Sequence, residues 1–279
     1  MERRTPLGGT VHLFTLSRAC AVPATAVAAC LFAGCAPPGQ TVRGVHLVAR
    51  GRLTTCTHLP YAPFQFQRGR AVVGFDVDLI DLVARRLGVR QKIVDTRFTA
   101  ITSGEVFAVA ACDVAAAGTT IDPRRAAVID FSRPYFDSGQ VLMARRDARI
   151  TPDALGPNGP RVGVVVGTTG QAYARRRGWQ TKGYENATTE LDALRTGQVD
   201  ALVQDDPVVR YWLTDEANAD FTLVPGMLTH EKYGFAVRKG HNPALLRLID
   251  DVIAQIRRDG TYRRTYERWM GPMPPQTTA

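Results

Sequence analysis

Two charged side chains in this sequence, Asp205 and Arg125, are of types that could bind a small ionic ligand. Asp205 follows the apolar run 201–203, and side chains at the end of a strand in an α/β sheet emerge into a cleft. A carboxylate in a cleft can pair with a cation. Arg125 lies in the segment 119–125, and a guanidinium group can donate two parallel hydrogen bonds to a carboxylate.

Both residues also have simpler explanations. Asp205 could cap a helix that has Pro207 in its first turn, and the neighbouring Asp206 is a competing candidate for the acid. Arg125 stands beside Arg124, and such a pair could simply be solvated at the surface. The residue types alone leave these alternatives open.

The sequence has none of the arrangements typical of common catalytic or metal sites. It has no Ser/His/Asp set, no zinc-ligand spacing and no Gly-rich phosphate loop, and its five histidines are scattered. Glu105 and Glu231 are the only loose candidates for a general acid, and neither lies in a motif. We therefore expect a protein that is not an enzyme and that has no metal and no cofactor.

The composition is that of an ordinary globular protein. Of the 279 residues, 45% are hydrophobic and 22% are charged, which excludes a disordered chain, a collagen-like repeat and a disulfide mini-scaffold. The net charge of +9 is spread along the chain in short basic pairs, without a dense basic block that contains aromatic residues. We therefore expect no nucleic-acid partner.

Short apolar runs alternate with helical patterns from Leu53 onward, which predicts an α/β fold. A helix is predicted over 76–87, with an apolar stripe on one face and Gly88 at its end. A second amphipathic helix is predicted over 244–258. Strands are predicted at 53–56, 92–95, 113–117, 141–144, 161–166, 201–204 and 235–238.

The first 35 residues resemble an export signal. Three arginines precede an uncharged, alanine-rich stretch, residues 19–34, which is too short for a comfortable membrane span. Residues 31–35 resemble a lipobox, and we expect Cys35 to carry the lipid and 36–44 to form a tether. A lipobox ending at Cys30, or an ordinary signal peptide, is the alternative. The protein is thus expected outside the cytoplasm, anchored to the cell membrane as a lipoprotein.

Only two cysteines follow the proposed anchor, Cys56 and Cys112. They could pair in an oxidising compartment. Because nothing in the sequence places them within bonding distance, we expect two free, buried thiols.

The segment 74–79, with Val83, Ala84 and Leu87 after it, matches the signature of family 3 bacterial solute-binding proteins, the polar amino-acid receptors of ABC importers. Further segments resemble the family in the same order, at 61–66, 119–125, 130–136, 167–170, 199–205, 233–234 and 259–262, with Trp269 near the end. The layout is most similar to the glutamine- and glutamate-binding lipoproteins of actinobacteria.

The resemblance implies a two-lobe, periplasmic-binding-protein-like (type II) α/β fold with a ligand cleft between the lobes. Lobe 1 would contain 45–137 and 233–271, and lobe 2 would contain 138–232. The chain would cross between the lobes near 137–141 and 231–235. A disordered tail, 272–279, would follow.

The resemblance also assigns the ligand-binding residues. Arg125 corresponds to the arginine that binds the ligand carboxylate, and Asp205 to the acid that binds its ammonium group. The other implied contacts are an aromatic sandwich by Tyr61 and Phe98, a carbonyl from Gly118, and hydroxyl or N–H groups from Thr120, Thr168 and Thr169.

Three positions that face the ligand side chain differ from the glutamine-binding members. His58 replaces an acidic or small polar residue, Val165 a lysine and Gln204 a histidine. His58 could favour an acidic side chain, or it could be a loop histidine with other partners, and Gln204 could serve an amide or a carboxylate. The resemblance thus implies a polar amino acid of the glutamine, glutamate, aspartate or asparagine class.

The resemblance predicts a lipid-anchored, monomeric receptor that hands an amino acid to an ABC permease. An amino-acid-sensing co-receptor for a membrane signalling protein is the alternative. A third hypothesis is an exported cyclohexadienyl-dehydratase-like enzyme, which would need a carboxylic acid as a general acid in the cleft.

Overall fold

The computed structural model describes residues 39–274, which fold into two mixed β-sheets covered by helices. In spatial order, the first sheet contains β6 (Arg90–Asp95), β3 (Arg52–Thr57), β7 (Val114–Ala115), β16 (Ala236–Arg238) and β8 (Ile129–Phe131). The second sheet contains β12 (Thr181–Tyr184), β11 (Val162–Val165), β13 (Ala201–Asp205), β10 (Gln140–Arg145) and β14 (Phe221–Val224). In each sheet the first three strands run parallel to one another. The fourth strand is antiparallel to its neighbours on both sides, the third and the fifth strands.

The described residues also form three strand pairs, nine α-helices and three short 3₁₀ helices. The pairs are β1 (Gln40–Val42) with β2 (Val45–Leu47), β4 (Phe66–Arg68) with β5 (Ala71–Val73), and β9 (Phe136–Ser138) with β15 (Glu231–Tyr233). The helices are α1 (Phe75–Leu87), α2 (Phe98–Thr102), α3 (Glu105–Ala108), α4 (Pro123–Ala126), α5 (Thr169–Arg176), α6 (Ala187–Arg195), α7 (Asp206–Trp212), α8 (Pro243–Arg258) and α9 (Thr261–Met270). Each strand and helix predicted from the sequence is present, with ends within two residues.

Strands β9 and β15 connect the two sheets. The chain leaves the first sheet after β8 and follows β9 into β10; it returns from β14 along β15 into β16. The two connecting strands pair antiparallel, with Tyr233 opposite Phe136. Below, lobe 1 is the part built on the first sheet and lobe 2 the part built on the second.

The signature segment begins α1, and its apolar stripe anchors the helix in lobe 1. Leu79, Ile80 and Val83 are fully buried, in one core cluster with Leu245 and Ile249 of α8. Burying each such side chain contributes about 1.5–3 kcal/mol. This packing fixes the start of α1 beside the loop that follows β7.

The expectation of two free thiols is wrong, because Cys56 and Cys112 form a disulfide. Parallel pairing of β3 with β7 places Cys56 opposite Ala115. Cys112 lies three residues before Ala115, and its Cα is therefore only 5.7 Å from that of Cys56, which is within the range a disulfide spans.

Part of the predicted tether is also ordered into a strand. Residues 40–42 form β1, and Arg43 and Gly44 make the two-residue turn to β2 with positive φ angles of 51° and 78°. Two such residues in succession match the twist of a tight hairpin. The signal segment, the cysteines at 30 and 35 and the end of the tail lie outside the described residues. Within 39–274, no helix has the length and apolar character to cross a membrane.

Candidate ligand-binding cleft

A small cavity lies between the lobes, with a volume of about 30 Å³, enough for about two water molecules. Its walls come from lobe 1 and from the loops and helix starts of lobe 2. It is lined by His58, Tyr61, Gln65, Phe98, Ala117, Gly118, Thr120, Arg125, Val165, Thr168, Thr169, Ala187 and Asp205. The residues predicted for the site are therefore brought together here, except for Gln204.

Arg125 is buried at the cavity, with 5% of its surface exposed, so it does not form a solvated pair with Arg124. Its Nη1 donates to the Thr120 carbonyl at 2.9 Å and its Nη2 to the Gly167 carbonyl of lobe 2 at 3.1 Å. Its Nε lies 3.3 Å from Asp122 Oδ2. Burial lowers the pKa of the guanidinium, and the negative charge of Asp122 opposes that effect.

Asp205 lies at the end of β13 with 7% of its surface exposed. Its carboxylate accepts hydrogen bonds from the Tyr61 hydroxyl of lobe 1, the Tyr233 hydroxyl of β15 and the Gln140 amide of lobe 2. Burial, followed by the negative charge of Glu231, raises the pKa of Asp205 to about 6, although these three hydrogen bonds lower it.

The structure decides between the alternatives for this acid. Asp205 occupies the cap position of α7, but its side chain makes no capping hydrogen bond. Asp206 instead forms an ion pair with Arg210, with Oδ2 at 2.8 Å from Nε, and does not line the cavity. Asp205 is therefore the acid that faces the space between the lobes.

The two aromatic residues predicted for the site have different neighbours. Tyr61 stacks on Phe64 with ring centroids 5.8 Å apart, and its hydroxyl reaches Asp205 in the other lobe. Phe98 lies under Arg125, with the guanidinium carbon 5.2 Å from the ring centroid. The ring thus supports the guanidinium by a cation–π interaction.

Gly118 is held in place by Asp76 of the signature, a role that the sequence analysis did not assign. The Gly118 N–H donates to Asp76 Oδ2 at 3.0 Å, and the Tyr135 hydroxyl donates to Oδ1 at 2.7 Å. Gly118 has a φ of 55°, and a Cβ there would lie 2.9 Å from Tyr61. Burial raises the pKa of Asp76 to about 7.

The three threonines predicted for the site use their hydroxyls within the protein, two of them on Glu231. Glu231 Oε2 accepts from Thr120 of lobe 1 at 2.6 Å and from Thr169 of lobe 2 at 2.8 Å, and Oε1 accepts from Thr229 at 2.8 Å. Thr168 caps α5 by accepting from the Gln171 N–H at 3.1 Å. Glu231 on β15 thus joins the two lobes behind the cavity.

Two residues predicted to face the ligand side chain are already hydrogen-bonded within the protein. The His58 ring nitrogens lie 2.9 Å from the Thr96 carbonyl and 3.0 Å from the Glu185 carbonyl. Gln204 donates to Glu190 at 2.8 Å, and its Oε1 accepts from the Asp205 N–H at 2.8 Å. Gln204 does not line the cavity, and both ends of its amide are engaged within the protein.

The buried Asp76 generates a prediction about stability and pH. Its pKa is about 7 in the folded protein against 3.8 for an ordinary aspartate. The folded state therefore binds the proton of Asp76 more tightly than the unfolded state does. The stabilisation that this proton provides is fully present below pH 3.8 and is lost as the pH rises through 7. Between these two pH values, the free energy of unfolding falls by up to about 1.4 kcal/mol for each pH unit.

Asp76→Asn should remove this part of the pH dependence. Urea unfolding between pH 5 and 8 should show the variant gaining stability relative to the wild type as the pH rises. Asp81→Asn, at a partly exposed position of α1, is the matched control and should follow the wild-type curve. Parallel curves for the wild type and Asp76→Asn would contradict the assignment.

Comparison with known proteins identifies the family. Residues 53–272 match the model of bacterial extracellular solute-binding proteins, family 3. The ABC transporter glutamine-binding protein GlnH of Bacillus subtilis (strain 168) is 31% identical over 203 residues, which cover 71% of this chain and 73% of that protein.

Solved structures show the same fold. A mutant of ArgBP from T. maritima has 35% sequence identity and a TM-score of 0.73, covering 79% of this chain and 95% of that one. The ancestral amino acid-binding protein AncCDT-1, described as a precursor of cyclohexadienyl dehydratase, has 33% identity and a TM-score of 0.70, covering 79% and 96%. The two-lobe binding-protein fold expected from the sequence is confirmed, and the chain belongs to the bacterial extracellular solute-binding proteins, family 3.

Proposed function

We propose that this protein is an extracytoplasmic receptor that binds a polar L-amino acid and delivers it to an ABC importer. The observation that carries the proposal is that Arg125 of lobe 1 and Asp205 of lobe 2 are both buried at one cavity. An amino-acid zwitterion carries a carboxylate and an ammonium group, and each needs a charged partner once water is removed. These two residues supply one partner for each.

The proposed mechanism is closure of the lobes around the ligand. A cavity of about 30 Å³ is too small for an amino acid, so the lobes must separate for the ligand to enter. The ligand ammonium would then replace tyrosine hydroxyls on Asp205, and its carboxylate would replace backbone carbonyls at Arg125. Because one ligand contacts both lobes, it favours the closed form through contacts that the open form lacks.

The position of Glu231 supports a binding protein over a dehydratase. A general acid must reach the group that it protonates, whereas Glu231 does not line the cavity. Its oxygens instead contact the hydroxyls of Thr120, Thr169 and Thr229. Incubation of the protein with prephenate or arogenate should therefore leave both compounds unchanged, and consumption of either would contradict the proposal.

We also propose that the receptor is anchored by a lipid on Cys35. The support is the sequence of residues 31–35, which resembles a lipobox, and the polar segment after it. Cys35→Ser should move the protein from the membrane fraction to the soluble fraction. Continued lipid labelling of that variant would point to Cys30.

Arg125→Ala should abolish amino-acid binding and leave the fold intact. A thermal-shift screen of the twenty amino acids should find at least one that raises the melting temperature of the wild type, because a ligand of the native state stabilises it. The variant should show no shift with that ligand, since the carboxylate loses its charged partner. Arg124→Ala, at the exposed neighbouring position, is the control. Affinity retained within about tenfold, or 1.4 kcal/mol, would contradict the role of Arg125.

The affinity for an amino acid should also depend on pH through Asp205. Its carboxyl has a pKa of about 6 and must be ionised to pair with an ammonium group, so the affinity should fall about tenfold for each pH unit below 6. Asp205→Asn should bind weakly and lose this dependence, whereas Asp206→Asn should resemble the wild type. Calorimetric titrations between pH 4.5 and 7.5 would measure both effects. A wild-type affinity that stays constant over this range would contradict the assignment.

A further inference from the structure

Gln65 is a buried polar residue that lines the cavity. It has no part in the binding mechanism proposed above. Only 1% of its surface is exposed, and it lines the cavity together with His58 and Tyr61. Its backbone is fixed by two hydrogen bonds with Tyr61, from N–H to carbonyl in each direction, at 2.7 and 3.0 Å. The side chain therefore starts from a rigid position.

The Gln65 amide is satisfied at one end only. Its Nε2 donates to the His58 carbonyl at 3.4 Å, and its Oε1 has no hydrogen-bond partner in the described residues. Reversing the amide would set its oxygen against that carbonyl, so the free end is an acceptor. A buried acceptor without a partner costs about 1–3 kcal/mol, which calls for an explanation.

Two other polar side chains near Gln65 are already engaged within the protein. Both ring nitrogens of His58 lie within hydrogen-bond distance of backbone carbonyls, so an N–H on either nitrogen is already directed to a carbonyl. The Gln204 amide is bonded at both ends. Val165 and Ala187, which also line the cavity, offer only apolar contact. The unmatched acceptor of Gln65 is thus the polar feature available to a ligand side chain.

We propose that Gln65 determines specificity by accepting a hydrogen bond from the ligand side chain, and that the preferred ligand is an amino acid with a side-chain amide. This inference rests on the proposed function and narrows it to glutamine or asparagine. An amide supplies the N–H that the Gln65 Oε1 lacks. A side-chain carboxylate supplies acceptors only and adds a buried negative charge.

A ligand with a cationic side chain fits this part of the cavity less well. Asp205 is the only acid among the described residues that line the cavity, and the ligand ammonium engages it. The nearby Glu190 is fully buried, its pKa is raised well above its usual value by that burial, and it accepts the Gln204 amide. A buried guanidinium or second ammonium would therefore lack a counter-charge.

The test compares matched ligands on the wild type and on variants of the full chain. Calorimetry at pH 7.5 would give the affinities for glutamine, glutamate, asparagine, aspartate and arginine. Gln65→Met has a similar shape without the carbonyl, and Gln65→Glu keeps an acceptor and adds a charge. Gln67→Met, an exposed position in β4 whose side chain contacts the Gly69 carbonyl, is the control. Circular dichroism would establish that each variant is folded.

The wild type should bind one of the amides at least about tenfold more tightly than the matching acid, because a site built for an N–H donor rejects ligands without one. It should also bind that amide at least about tenfold more tightly than arginine, whose buried charge would lack a counter-charge. Gln65→Met should reduce this preference at least about tenfold, and Gln67→Met should not change it. Gln65→Glu should still bind the amide ligand and should bind the matching acid even more weakly than the wild type does. This variant gives a second measure of the preference if Gln65→Met does not fold.

Two results would overturn the inference and leave the receptor function intact. One is a wild type that prefers an acid or arginine, and the other is an amide preference that Gln65→Met leaves unchanged. A wild-type protein that binds none of the twenty amino acids would instead overturn the proposed function, and the role of Gln65 with it.

Discussion

The burial of two opposite charges in separate lobes is the constraint on which the rest of this structure depends. Arg125 and Asp205 are both removed from water, and such charges are tolerated only where dipoles or counter-charges compensate them. Backbone carbonyls and Asp122 compensate the arginine, and two tyrosine hydroxyls and an amide compensate the aspartate. Several of these partners belong to the opposite lobe or to the connecting strand, so the compensation is complete only when the lobes are together.

The signature segment lies far from the two charges in sequence, yet it helps to shape the cavity between them. The apolar residues of α1 hold the helix against the core of lobe 1, and Asp76 in its first turn fixes the backbone of Gly118. The residue at 118 must lie close to Tyr61, where a Cβ would collide with the ring. The signature thus shapes the cavity by positioning a loop.

The sequence predicted seven of the strands and the two longest helices of the described residues, because their periodicity is local and strong. It also indicated Arg125 and Asp205, which lie at the start of a helix and at the end of a strand. It could not predict where hydroxyl and amide groups point, since those directions depend on neighbours that are distant in the chain. Thr120 and Gln204 are examples: Glu231 and Glu190 take their hydrogen bonds. The disulfide was missed for a related reason, because the pairing of β3 with β7 is a tertiary contact.

Glu231 has a mechanical consequence for the whole molecule. One of its oxygens is shared by a hydroxyl from each lobe, and the residue itself belongs to a strand that connects them. A rotation that separates Thr120 from Thr169 stretches at least one of these two bonds. In the proposed receptor, a side chain behind the cavity would therefore contribute to the balance between open and closed forms, and so to how long a ligand stays bound, although it does not line the cavity.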